Sequence, residues 1–102
     1  MKFRLDIILD GKMLNRIYLQ KTDTIIGRGS NADIKVVTEN IGRQHLKISI
    51  IKKQLYLTDL GSVNGTKVGD TPLTPNERTI YDTYFLPIKL GETVSITVTE
   101  EQ

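Results

Sequence analysis

A period of two runs through nearly all of this chain, and it restricts the possible folds more than any other feature. Phe3, Leu5, Ile7 and Leu9 alternate with Lys2, Arg4 and Asp6. Leu46, Ile48 and Ile50 alternate with Lys47 and Ser49, and Val94, Ile96 and Val98 with Ser95, Thr97 and Thr99. Side chains two apart share a face only in an extended strand, so each run predicts a strand with one buried face. No window of ten or more residues carries sustained helical spacing. Asp10-Gly11 predicts a type I′ hairpin turn, whose two central residues need positive φ. The strand after it is expected to hold Met13, Ile17 and Leu19 on one face and Arg16 and Tyr18 on the other. Ile25-Ile26, a strand over Ile34 to Val37, and Leu55 and Leu57 after a basic Lys52-Lys53 turn complete the readable pattern. Short strands with polar turns between them predict an all-β fold, a sandwich of antiparallel sheets or a barrel. Its core would contain Phe3, Leu5, Ile7, Ile26, Leu46, Ile48, Leu57, Val94 and Ile96.

The 102 residues suffice for one core and not for two, so residues 1–102 are expected to form a single domain. Residues 69–90 are the least regular part and carry all three prolines, Pro72, Pro75 and Pro87. Thr74 to Arg78 reads as a turn. Thr79 to Leu86 predicts a strand from its Tyr, Thr and Phe content, with Tyr81, Tyr84 and Phe85 packing at the core edge or lining a surface groove. A net charge of +2 is too small to draw in nucleic acid by bulk electrostatics. The absence of cysteine excludes disulfides and thiolate metal sites. Arg4 and Asp6 interrupt the first ten residues, so no signal peptide or membrane span is expected there. A cytoplasmic setting fits these features.

Three polar stretches are candidates for function. In the first, Ile25-Ile26 runs into Gly27-Arg28 and a loop of Gly29, Ser30, Asn31 and Ala32. An arginine at a strand end presents a planar fork of donors matched to phosphate or carboxylate oxygens. Alone, such a residue is an ordinary surface arginine. The second stretch, Asn40 to His45, ends in the single histidine. No serine sits in a glycine-flanked elbow and no cysteine is present, so a nucleophilic site lacks its parts. A zinc site would have to be built on carboxylates, and no metal or cofactor is expected. His45 is instead expected to be buried, to tie loops together through its two ring nitrogens, and to have no Ser or Asp placed for proton relay. In the third stretch, Asp59 to Thr66, glycines 61 and 65 flank Asn64. An asparagine side chain both donates to and accepts from a peptide backbone.

In this order and at these separations, Gly27-Arg28, His45 and Ser62-Val63-Asn64-Gly65-Thr66 resemble the motif of the forkhead-associated (FHA) domain. Asp33-Ile34 and Asp59-Leu60-Gly61 are similar to its flanking positions. The resemblance covers about residues 25–68 and carries no enzymatic activity with it. It implies a SMAD/FHA-like sandwich of two antiparallel sheets whose loops at one end bind phosphothreonine peptides on a partner protein. On that resemblance Arg28 binds the phosphate and Asn64 the peptide backbone, with Ser30, Gly42, Arg43 and Thr66 among the contacting residues. Gly27, His45 and Gly65 brace the loops, and the rim would gather Arg28, Arg43, Asn64 and Lys67.

The chain departs from the family at Gly42, where a serine hydroxyl usually donates to the phosphate. A hydrogen bond to a charged group contributes roughly 1.5–3 kcal/mol, so its loss would weaken binding by about one to two powers of ten. The N–H groups of Gly42 and Arg43, the Arg43 guanidinium and the Ser30 hydroxyl are available to compensate. Residues 69–90 also look expanded relative to the family. Two functions follow: phosphothreonine-dependent recognition, favoured by Arg28 and Asn64, and a phosphate-independent FHA-like scaffold, for example in a bacterial secretion machine, favoured by Gly42.

Overall fold

The alternation at the start of the chain becomes β1 (Lys2–Leu9), followed by β2 (Lys12–Tyr18) across a turn with Asp10 at φ 50° and Gly11 at φ 78°. The computed structural model describes residues 2–102. Along the chain follow β3 (Asp23–Gly27), β4 (Ile34–Lys35), β5 (Leu46–Ile51), β6 (Gln54–Asp59) and β7 (Thr66–Val68). The last strands are β8 (Thr71–Pro72), β9 (Thr79–Tyr81), β10 (Ile88–Leu90) and β11 (Val94–Glu101). Two sheets form, with orders β2-β1-β11-β10-β7-β8 and β4-β3-β5-β6-β9. No helix in the described residues is long and apolar enough to cross a membrane.

All nine residues expected in the core are buried, joined by Ile34, Val36, Ile41, Leu55, Tyr81, Ile88, Leu90 and Val98. The register accounts for this. Leu5 lies opposite Val98 and Ile7 opposite Ile96 in one sheet, while Ile48 lies opposite Leu57 in the other. Each pair points its side chains at the facing sheet, and burying such side chains is the main source of stability.

Four expectations are corrected. First, Met13 does not share a face with Ile17. A β-bulge makes Asn15 and Met13 the partners of consecutive residues Ile7 and Ile8, leaving Leu14 as the extra residue. The bulge turns Met13 outward, and it is 54% exposed. Second, the strand expected over Ile34 to Val37 is regular only at Ile34–Lys35. It pairs parallel with β3, so that sheet is antiparallel except at this edge. Third, Thr79 to Leu86 is not one strand. β9 stops at Tyr81, and a turn leads to β10, which slots between β11 and β7. The chain thus leaves the six-stranded sheet after β8, adds β9 to the other sheet, and returns. Fourth, the aromatic residues divide. Tyr81 and Tyr84 pack edge to face, 5.4 Å between centroids, with Tyr84 against Phe3, whereas Phe85 is 84% exposed. The Tyr81 hydroxyl donates to the Leu86 carbonyl at 2.7 Å, and burial pushes its pKa up to about 12.

Candidate functional site

The loop after β3 and the loop before β5 are joined backbone to backbone. Arg28 N–H donates to the Gly42 carbonyl and Gly29 N–H to that of Arg43, both at 3.0 Å. His45 N–H donates to the Ile26 carbonyl at 2.9 Å, so the β3–β5 ladder continues into the loops. The sequence permits this because residue 27 is glycine. A Cβ there would lie 2.1 Å from the Arg43 carbonyl oxygen, closer than any side chain tolerates. Arg28 and Arg43 are therefore carried on adjoining backbone. Arg28 Nε donates to the Ile41 carbonyl at 2.8 Å, which orients the guanidinium and leaves its terminal N–H groups free. Among the described residues neither arginine forms an ion pair, and both are exposed.

The third loop is attached by a buried brace. The Asp59 carboxylate, at the end of β6, accepts from Gly61 N–H at 3.1 Å, Ser62 N–H at 3.0 Å, and the Ser62 and Thr66 hydroxyls, both at 2.6 Å. Ser62 Oγ accepts in turn from Gly65 N–H at 3.0 Å. Gly65, at φ 79°, presents its carbonyl to His45 Nε2 at 2.9 Å and to Gly91 N–H at 3.1 Å. His45 Nδ1 accepts from Gly42 N–H at 2.9 Å. Since Nδ1 accepts, Nε2 carries the proton and donates, which fixes a neutral tautomer. Burial holds the imidazole pKa below its ordinary value, outweighing the Gly65 carbonyl and the nearby Asp59 charge that favour protonation. Burial works in the opposite sense on Asp59, but the Ser62 and Thr66 donors outweigh it and keep its carboxyl below the usual range. On the rim, Asn64 Nδ2 donates to the Asn40 carbonyl at 2.9 Å and links the second and third loops.

His45 is fully buried and hydrogen-bonded to loop backbone, as expected. An acid does stand near it: Asp59 Oδ1 is 3.7 Å from Nε2. That is too long for a hydrogen bond, and the Nε2 proton is already given to Gly65, so no relay forms. Thr66 is corrected as a ligand contact, because it is buried and its hydroxyl is spent on Asp59. The Gly42 N–H is likewise committed to His45 and cannot replace the absent serine hydroxyl. A Cβ at Gly42 would meet nothing nearer than 3.7 Å, so a serine fits there. Ser30 is exposed on the first loop. Lys67 alternates outward from buried Thr66 and lies opposite Lys89, on the outer face of the six-stranded sheet.

Sequence reasoning did not find the Asp59 brace. Its signal was present, since an Asp just before a Gly-Ser turn is the pattern of a side chain capping loop N–H groups. The carbonyls of Ile41 and Asn40 carry no side-chain signal at all. Among the described residues no group of three or more His, Cys, Asp or Glu side chains is arranged to hold a metal ion.

Two packed sheets with a three-loop rim at one end define the class, and comparison with known proteins gives the same one. The FHA domain family matches residues 24–84, more than half of the chain, and the chain belongs to that family. Over 74 residues it is 32% identical to a protein phosphatase 1 regulatory inhibitor subunit, the PPP1R8 homolog of Arabidopsis thaliana, covering 71% of this chain and 20% of that protein. It is 26% identical over 88 residues to the FHA domain-containing protein FhaB of Mycobacterium tuberculosis, covering 85% of this chain and 55% of FhaB. The chain thus spans about half or less of the length of these relatives. Among solved structures, one from a study of phosphothreonine-dependent FHA domain interactions superposes with TM-score 0.79 at 27% identity, covering 97% of this chain and 98% of that one. The FhaA FHA domain in complex with the intracellular domain of Rv3910 gives 0.76 at 28%, covering 93% and 99%. The FHA domain of CT664 from Chlamydia trachomatis gives 0.87 with full coverage of both chains, and at 24% identity it speaks to the fold alone. The FHA domain is a protein-interaction module.

Proposed function

We propose that residues 1–102 act as a single phosphothreonine-reading domain, with Arg28 taking the phosphate, Arg43 and Ser30 assisting, and Asn64, whose Nδ2 serves Asn40, aligning the peptide backbone through its Oδ1 acceptor. The observation that carries this reading is Arg28 itself. Its Nε is anchored on Ile41, its terminal donors are unpaired, and Arg43 sits on the adjoining strand of backbone. Two cationic side chains carried on adjoining backbone make this rim electropositive and favour a bound anion. A phosphate bears close to two negative charges at neutral pH and suits this better than a carboxylate. The partner is then a phosphorylated protein, in a kinase-containing compartment such as the cytoplasm, and the domain connects a phosphorylation signal to an assembly without catalysis of its own.

Titration with a degenerate phosphothreonine peptide library beside its unphosphorylated twin tests the proposal. Binding only to the phosphorylated library is the expected result. Equal binding to both would favour the second reading, a phosphate-independent scaffold. That reading has one observation on its side: residue 42 has no hydroxyl and its N–H is already committed to His45.

A further inference from the structure

The cleft beside Arg28 holds about 510 Å³ and is lined by Arg28, Val37, Thr38 and Glu39. Resting on the reading that Arg28 takes the phosphate, we propose that this cleft selects a lysine or arginine flanking the phosphothreonine, with its stem over Val37 and its charge at Glu39. Two features of the cleft ask for different parts of one side chain.

Val37 follows the end of β4 and is 76% exposed, an apolar surface beside the arginine. It also borders a neighbouring groove whose lining, Leu9, Leu14 and Val36 included, is apolar apart from Asn15 and Lys35. Glu39 is exposed and forms no ion pair among the described residues, although Arg28 lines the same cleft. A phosphate held at Arg28 and the Glu39 carboxylate on the same cleft are both negative, and Arg28 serves only the first. A ligand cation at Glu39 converts that repulsion into attraction, and a long aliphatic stem covers Val37 on the way. Lysine and arginine have both parts. An acidic residue in that place would repel both Glu39 and its own phosphate. Because the site is open to water, the preference for Lys or Arg over Asp or Glu should be about tenfold rather than absolute.

The test uses a phosphothreonine peptide library with randomised flanks and its unphosphorylated counterpart, captured on the wild-type domain, Glu39→Lys and Glu39→Gln. Wild type should enrich Lys and Arg at one flanking position, Glu39→Lys should change that position to Asp and Glu, and Glu39→Gln should flatten it. Phosphate-dependent capture with the same flank distribution in all three proteins would overturn this inference alone, as would enrichment of acids by wild type. Equal capture of phosphorylated and unphosphorylated peptides would remove the phosphate reading and this inference together.

Discussion

The rim arginines and the His45–Asp59 brace belong to the same group of loops, yet they use their polar atoms in opposite ways. In the brace, the Asp59 oxygens, both His45 nitrogens and the Ser62 and Thr66 hydroxyls all have partners within the chain. On the rim, the terminal N–H groups of Arg28 and the whole guanidinium of Arg43 have none among the described residues. A buried polar group must be paired or it costs stability, whereas an exposed cation can wait for a ligand in water. Residues whose donors are spent inside the molecule hold the loops together, and residues whose donors remain unspent are free to bind.

The sharpest way to break this division is Asp59→Ala. It strands the Ser62 and Thr66 hydroxyls and two loop N–H groups, and should cost on the order of 3 kcal/mol in denaturant unfolding. A loss under about 0.5 kcal/mol would mean that the brace is not structural. Arg28→Ala is the mirror test. Phosphopeptide binding should fall at least about 100-fold by calorimetry while stability stays within about 0.5 kcal/mol, as for an exposed side chain. Should stability fall with binding, the rim and the brace are not separable.

Gly42 stands where the two regions meet, since its N–H serves the brace and its missing side chain belongs to the rim. Gly42→Ser should tighten phosphopeptide binding about tenfold, because the added Cβ has room and the hydroxyl brings a donor to the phosphate. Unchanged affinity would indicate that the phosphate lies elsewhere.

The smallest expected effect is on pH. The folded state lowers the pKa of His45, so its contribution is complete above the ordinary value of 6.5 and is lost as pH falls from there through the lower folded value. Asp59, also lowered, adds a second loss that begins near its ordinary value of 3.8. Thermal melts between pH 7.5 and 5 should therefore show a modest fall in Tm on acidification, and a flat profile would mean that His45 is not held neutral.

Much of this was readable from residue order. The period of two placed all nine named core residues correctly, because alternation is a local property of an extended chain. Asp10-Gly11 turned as expected for the same reason. The order Gly27-Arg28, His45, Ser62 to Thr66 pointed to the family, since each piece occupies a fixed place on a loop. Elsewhere local signals were silent or misleading. Ile88–Leu90 was missed as a strand because three residues between Pro87 and Gly91 are too few to show a period. Met13 was assigned to the wrong face because the bulge at Leu14 appears only once β2 is paired with β1.

The sequence by itself determined which residues alternate into a core and which residue types gather in the loops, since both depend on near neighbours and on side-chain chemistry. Only the tertiary structure decided how the hydrogen bonds are shared out. It placed Thr66 inside with Asp59, gave the Gly42 N–H to His45, and left the Arg28 terminal donors open. The physical reason is that each donor is satisfied by whichever acceptor the fold brings within about 3 Å, and two of the acceptors that tie these loops, the Gly65 and Asn40 carbonyls, lie twenty or more residues from their donors in the chain.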